Sequence, residues 1–186
     1  MINVSAQANK PLAGVLKKLY SYNEIIEYLD SLPVREYVQH AVDRARQLDT
    51  LFDNVSQKIA TILVGGTNSK SMTMNFADKL FAEEGIKTAL IYSTHFLAYN
   101  ERFIVGNHPI SNTDFTDIAN EVINAVQEND IAATSSEIML MTGLLHAQRS
   151  GVEVALIEVG LGGQYDSSAI CSPKITAVTR VADDIS

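Results

Sequence analysis

Hydrophobic residues near the start of the chain recur three and four positions apart, which places them on one side of a helix. Between residues 21 and 51 these positions are Ile25, Ile26, Leu29, Val38, Ala41, Val42, Ala45 and Leu48. Pro33 interrupts the pattern, and proline does not continue a helix. The spacing therefore predicts two helices, and we interpret residues 1–56 as an N-terminal helical lead-in.

Further along, short apolar runs alternate with amphipathic stretches. Strand-like runs occupy residues 58–64, 87–93, 152–160 and 174–181, and helical patterns occupy 70–84, 111–128 and 134–149. Two extended pieces on either side of Gly106 and Asn107 predict a small hairpin. The alternation predicts an α/β fold with a mostly parallel sheet flanked by helices, whose ligands lie beyond the carboxyl ends of the strands.

The fourth predicted strand lies a few residues before Ser186. Since a doubly wound domain usually closes with a helix, we expect residues 57–186 to form an incomplete, truncated domain, either part of a longer protein or a shortened version of one.

Composition narrows the class of partner. The chain has 186 residues, of which 46% are hydrophobic and 19% charged, as in a single soluble domain. A formal charge of −8 disfavours nucleic acid and anionic membranes as partners. No apolar run reaches the roughly 18 to 20 residues of a membrane helix. The single cysteine, Cys171, excludes an internal disulfide, and we expect a cytoplasmic location.

The stretch "GGTNSKSMT", residues 65–73, lies between the first predicted strand and a helix, where a phosphate-binding loop would lie. Lys70 can neutralise phosphate charge, and Ser71 or Thr73 offers a hydroxyl to Mg²⁺. The general P-loop pattern nevertheless fails, because Val64 and Ser69 stand where it has glycines. The loop alone therefore leaves nucleotide binding open.

Four stretches carry a more specific resemblance. They are "YNEIIEYLDSL", "GGTNSKSMT", "YSTHFLAYNERFIVGNHPI" and "VALIEVGLGGQYDSSAI". In this order they resemble the motifs of the folylpolyglutamate synthase and dihydrofolate synthase branch of the Mur ligase superfamily. The resemblance implies a P-loop-containing, Mur-ligase-like ATPase domain over residues 57–186.

The resemblance also implies an activity. Such enzymes use ATP and Mg²⁺ to turn a substrate carboxylate into an acyl phosphate, and the amine of glutamate then displaces the phosphate from a folate or pteroate. A separate C-terminal domain closes over the site in this family, so we expect the 186-residue chain alone to show little or no ligase activity unless a second polypeptide completes it.

Residues carried over from the family motifs fall into four groups. The ATP-binding residues are Gly66, Thr67, Asn68, Ser69, Lys70 and Ser71; the metal ligands are Ser71 and Glu137; the catalytic residues are Lys70 and His95; the substrate residues are Asn100, Arg102, Gly162, Gly163 and Asp166. These roles are implications of the resemblance.

The chain also departs from the family pattern. In the phosphate loop, Ser69 and Ser71 replace glycines and Met72 replaces a metal-binding serine. Further along, Thr94 replaces a proline, Gln164 replaces an arginine, Ala169 replaces an asparagine and Ile185 replaces a histidine. Two alternatives therefore stay open: a catalytically impaired relative that binds nucleotide or a protein partner, and a Mur-type ligase for another carboxylate.

Several of these residues also have purely structural interpretations. Glu137 closes "TSSE", a capping box with Thr134 that starts a helix without any metal. His95 alone is typical of a hydrogen-bonded structural histidine, and Asp166 of a turn cap. If the backbone at Ser69 takes a positive φ, its side chain costs about 1 to 3 kcal/mol.

Overall fold

The computed structural model describes residues 17–33, 40–160 and 162–182. Outside these residues lie Val38 of the predicted second helix, Leu161 of the fourth motif and Ile185, which replaces the family's histidine. The helices are α1 (Tyr22–Ser31), α2 (Ala41–Leu51), α3 (Lys70–Glu83), α4 (Asn112–Glu128) and α5 (Ser135–Arg149). The strands are β1 (Ala60–Gly65), β2 (Thr88–Ile91), β3 (Phe103–Val105), β4 (His108–Pro109), β5 (Val154–Glu158) and β6 (Ile175–Val178).

The strands form one sheet in the order β4-β3-β2-β5-β1-β6. Strands β2, β5, β1 and β6 pair in parallel, and β3 and β4 add an antiparallel hairpin at one edge. Gly106 and Asn107 turn this hairpin with φ values of 59° and 64°. The predicted α/β fold, with a mostly parallel sheet and a small hairpin, is confirmed.

Helices cover both faces of the sheet, as the alternation of elements predicted. On one face α3 packs through Met74 onto Val64, Leu90 and Leu156. On the other face α4 and α5 form the larger core, which α1 and α2 extend with Ile25, Leu29, Ala45 and Leu48. The described part of the N-terminal segment thus shares the core of the sheet domain, and the proposed boundary at residue 57 stays a prediction.

Local sequence explains where the helices begin. Ser21 and Glu24 form a capping box at the start of α1, and Thr134 and Glu137 form another at α5. The Ser111 side chain accepts a hydrogen bond from the Asp114 N–H at the start of α4. Each cap satisfies backbone donors that the first helical turn leaves without partners.

Two exposed apolar features remain on the surface. Met72, Phe76 and Leu80 follow each other at intervals of four along the outer side of α3, and Ile175 and Val178 are exposed on β6. In the described parts of the chain, no helix is both long enough and apolar enough to cross a membrane.

Candidate functional site

The candidate site lies at the carboxyl ends of three adjacent parallel strands. In the register of the sheet Val64 pairs with Glu158 and Ile157 with Ile91, so β1, β5 and β2 end side by side. The loop that follows β1, the last residue of β5 and Ser93 after β2 therefore meet at one edge, where open α/β sheets bind ligands.

The start of α3 presents unpaired backbone donors. Ser69 precedes the helix with φ 69° and ψ 10°, in the left-handed region, and its side chain caps nothing. Within the described residues, the N–H groups of Lys70, Ser71 and Met72 have no hydrogen-bond acceptor. Free backbone donors and the positive end of a helix dipole favour an anion such as phosphate at this position.

Lys70 is folded back across this loop. Its Nζ donates to the carbonyl of Gly66 at 2.8 Å and lies 4.0 Å from Glu158 Oε1. Gly66 has a φ of 131°, and a Cβ at this position would lie 2.1 Å from Thr179 Oγ1. Gly66 therefore cannot carry a side chain, whereas Ser69 tolerates one in a conformation that glycine adopts more easily.

Glu158 links the three strand ends. Its Oε1 accepts from the Ser71 hydroxyl at 3.1 Å, and its Oε2 accepts from the N–H and the hydroxyl of Ser93 at 3.0 and 3.1 Å. Neither Glu158 nor Ser93 was predicted from the sequence as a site residue. The signal was an acidic residue that ends an otherwise apolar strand, "VALIE", beside the strand that leads into the loop.

The donor set around Glu158 suits a hard cation. One carboxylate and two hydroxyls are oxygen ligands, and Mg²⁺ in nucleotide sites takes one or two carboxylates and completes its octahedron with phosphate and water. Among the described residues no group of three or more His, Cys, Asp or Glu side chains converges on a metal position. A cation here would accordingly depend on the hydroxyls and on the phosphates of a nucleotide.

Glu137 has a different environment. Its Oε2 accepts from the N–H of Thr134 at 2.7 Å and from the Thr134 hydroxyl, and its Oε1 accepts from Arg44 Nη2 at 2.7 Å. The Glu137 side chain is fully buried. Protein donors thus bind both carboxylate oxygens, as expected if Glu137 serves to cap α5. The metal role that the family resemblance implies for Glu137 stays a prediction.

His95 lies in a cluster of polar and aromatic side chains. Arg102 Nε donates to its Nδ1 at 2.9 Å, and its ring lies 4.2 Å from that of Tyr99. The Tyr99 hydroxyl donates to Asp30 at 2.5 Å. Burial, and then the charge of Arg102, lower the pKa of His95. The accepted hydrogen bond therefore assigns a neutral imidazole with its proton on Nε2.

The other residues predicted to bind substrate make structural contacts. Asn100 is buried, accepts from the Tyr22 hydroxyl at 2.7 Å and donates to the carbonyl of Ile110 at 2.8 Å. Asp166 accepts from Gly160 N–H at 3.1 Å and caps a 3-10 turn at Ser167–Ile170. Gly162 and Gly163, with φ values of 65° and 77°, lie in the connection between Gly160 and Asp166.

A cavity of about 240 Å³ lies at the ends of β2 and β5 and joins several of these groups. Its walls include Arg44, Ser93, Arg102, Glu137, Glu158 and Asp166. The structure thus brings Arg102, Asp166 and Glu137 to one cavity, with Glu158 as the link to the phosphate loop through Ser71.

No protein-family model matches the chain, but individual proteins of known name are similar to it. The dihydrofolate synthase/folylpolyglutamate synthase of Bacillus subtilis is 29% identical over 152 residues, 79% of this chain and 35% of the relative. The folylpolyglutamate synthase of Lacticaseibacillus casei is 29% identical over 171 residues, 88% of this chain and 39% of the relative.

Solved structures agree with the sequence matches. The FPGS–AMPPCP–folate complex superimposes with a TM-score of 0.83 at 27% identity, covering 90% of this chain and 42% of that one. This chain is similar in sequence and in fold to folylpolyglutamate and dihydrofolate synthases. The Thermotoga maritima folylpolyglutamate synthase matches with a TM-score of 0.78 at 25% identity, over 87% of this chain and 38% of that one. The chain spans about 40% of the length of the synthases it matches.

Proposed function

We propose that the chain is the ATP-binding part of an amide-forming ligase that uses ATP and Mg²⁺ to add glutamate to a folate or pteroate. One observation carries the proposal: Glu158 joins the phosphate loop to Ser93 at the carboxyl edge of the sheet. The names of the relatives, and the AMPPCP and folate of the solved FPGS complex, supply the substrate class. Residues 57–186 form the ATP-binding domain in this proposal.

The phosphates of ATP bind at the start of α3. The N–H groups of Lys70, Ser71 and Met72 donate to phosphate oxygens, and Lys70 exchanges its bond to the Gly66 carbonyl for a phosphate. Glu158, Ser71 and Ser93 would hold Mg²⁺, which neutralises phosphate charge as an acyl phosphate forms. The site thereby brings two anions, ATP and a carboxylate, within reacting distance.

His95 acts in this proposal as a hydrogen-bond donor. Because Nδ1 accepts a hydrogen bond from Arg102 Nε, the only ring proton that His95 can donate is the one on Nε2. Since the pKa of His95 is lowered, the ring stays neutral at physiological pH. A neutral donor can orient a substrate oxygen without adding a charge that would compete with Mg²⁺ for the phosphates.

The rest of the ligase reaction needs residues beyond this chain. The relatives are more than twice its length, since the matched regions cover only 35 to 42% of them. In this proposal a further domain or a second polypeptide completes the glutamate and substrate sites. The proposal also places the protein in the cytoplasm, whose reducing conditions suit the free thiol of Cys171.

A second candidate is a relative that binds nucleotide and turns it over slowly or not at all. Ser69 favours it, because a left-handed φ at a residue other than glycine costs the folded protein about 1 to 3 kcal/mol, and the Ser69 side chain can crowd a phosphate bound at the loop. Met72 is 61% exposed at the position of the family's metal-binding serine. A ligase for another carboxylate also stays open, through Thr94 and Gln164.

Calorimetric titration with AMPPCP, with and without Mg²⁺, tests the site. The wild-type chain is expected to bind at least about tenfold more tightly with Mg²⁺, since Glu158 would help to hold the metal and the metal would neutralise phosphate charge. Glu158→Gln should reduce that ratio to below about threefold. Glu121→Gln removes an exposed carboxylate paired with Arg149 and is the matched control. If the affinity of the wild-type chain for AMPPCP is the same with and without Mg²⁺, the proposed metal site is wrong.

ADP release from the complete gene product separates the two candidates. The substrates are dihydropteroate or tetrahydrofolate together with glutamate. The ligase proposal expects turnover, and faster turnover when Ser69→Gly and Met72→Ser restore the family pattern. If both proteins release no ADP above background while AMPPCP still binds, the impaired relative is the correct description.

A further inference from the structure

The segment that follows β6 lies directly against the phosphate loop. Thr179 N–H donates to the carbonyl of Gly65 at 2.9 Å, and Thr67 N–H donates to the carbonyl of Arg180 at 2.9 Å. The Thr67 hydroxyl also contacts the carbonyl and the N–H of Ala182, each at 3.1 Å. Residues 179–182 therefore continue the pairing of β1 and β6 beyond the sheet and into the loop.

The Thr179 side chain spans the loop. Its Oγ1 lies 2.7 Å from the carbonyl oxygen of Asn68 and 3.2 Å from that of Gly65. The hydroxyl has one proton, and the shorter distance assigns its main hydrogen bond to Asn68. Gly66 lies against the same oxygen, with no room for a Cβ. The hydroxyl thus fixes the Asn68 end of the loop, and the Thr179 N–H fixes the Gly65 end.

This contact determines which backbone donors face a ligand. In a trans peptide the C=O and the following N–H point in opposite directions. When Thr179 holds the carbonyl of Asn68, the N–H of Ser69 must point away from Thr179, and this N–H has no acceptor within the described residues. The N–H of Thr67, in contrast, is already committed to Arg180.

We propose that Thr179 is a positioning residue for the phosphate loop, holding the peptide between Asn68 and Ser69 so that the Ser69 N–H joins the donors of α3 around a nucleotide phosphate. This inference rests on the proposed nucleotide binding. It also gives a reason for the left-handed conformation of Ser69: the fixed peptide before it and the helix start after it leave the Ser69 φ little freedom.

Two substitutions at Thr179 distinguish the contribution of its hydroxyl group from that of its side-chain volume. Thr179→Val keeps the volume and removes the hydroxyl, and Thr179→Ser keeps the hydroxyl. AMPPCP is the probe, with calorimetry as the measurement. The valine variant should bind about fivefold to tenfold more weakly, the loss expected for one hydrogen bond, and the serine variant within about twofold of wild type. Thr50→Val removes an exposed hydroxyl that bonds to Arg46 on α2 and should change nothing.

Amide NMR of the wild-type chain tests the same inference without any substitution. On addition of AMPPCP the Ser69 amide resonance should shift, and the Thr67 amide, held by Arg180, should not. The proposal is overturned if Thr67 shifts while Ser69 does not, if the folded valine variant binds like wild type, or if serine and valine weaken binding equally. A wild-type chain that does not bind AMPPCP overturns the proposed nucleotide binding as well, which distinguishes the two failures.

Discussion

At the scale of single residues, His95 shows how neighbours set the properties of a side chain. Arg102 donates to its Nδ1, and Tyr99 packs on its ring. Glu101 and Asp30 pull the pKa of His95 up, but burial and the charge of Arg102 outweigh them and lower it. The histidine therefore contributes stability at neutral pH that is lost as the pH falls below its unfolded value of about 6.5.

An NMR pH titration of the His95 ring checks this balance. The pKa of His95 should lie below 6.5, the ordinary value, and Arg102→Gln should raise it, because a positive charge is removed while burial remains. His146, whose pKa is lowered by burial on α5, is an internal control that should not move. A His95 pKa that stays the same or falls in Arg102→Gln would contradict the assigned contact.

At the scale of elements, one buried ion pair joins α2 to α5. Glu137 starts α5 through its capping box with Thr134 and accepts two hydrogen bonds from Arg44 of α2. Both charged side chains are largely withdrawn from water, with exposures of 11% for Arg44 and 0% for Glu137. If one partner is removed, the other charge stays buried without a counter-charge, and this costs more free energy than the ion pair itself contributes.

Glu137→Gln should therefore lower the free energy of unfolding by about 3 to 5 kcal/mol, measured by urea denaturation. Glu121→Gln, in the exposed pair with Arg149, is the matched control and should cost less than about 1 kcal/mol. The same variant tests the metal role suggested for Glu137 by resemblance. If folded Glu137→Gln is nearly as stable as wild type but loses the Mg²⁺ dependence of AMPPCP binding, the metal role is favoured over the structural one.

At the scale of the whole molecule, Cys171 reports on global unfolding. It is the only cysteine of the chain, is 6% exposed and belongs to the larger core. Burial, followed by the negative charges of Asp49 and Asp166, raises the pKa of the Cys171 thiol to about 12. The reactive thiolate is thus scarce in the folded protein at neutral pH.

Reaction with a thiol reagent at pH 8 should consequently be at least about a hundredfold slower for the folded chain than for the chain in urea, because an accessible thiol ionises near pH 8.5. Absorbance of the released chromophore measures the rate, and a small thiol in the same urea concentration controls for reagent chemistry. Rapid labelling of the folded protein would show that the core around Cys171 opens without global unfolding.

The sequence by itself determined the helices and strands and predicted part of the candidate site. The apolar patterns predicted α4 and α5 nearly to the residue. Helix α4 buries one side, whereas α5 is mostly apolar and buried all round over residues 137–145. Gly106 and Asn107 predicted the hairpin, since both take the left-handed conformations that this turn requires. Lys70 and the phosphate loop were likewise visible, as they are contiguous in the chain.

Only the tertiary structure decided how distant segments meet. Glu158, Ser71 and Ser93 come together because β5 lies between β1 and β2, and the sequence does not state the order of strands. The partner of Glu137, Arg44, is 93 residues away on another helix. Thr179 reaches Asn68 across 111 residues of chain. Patterns within a segment predict what it folds into, whereas contacts between segments depend on the packing of the whole sheet.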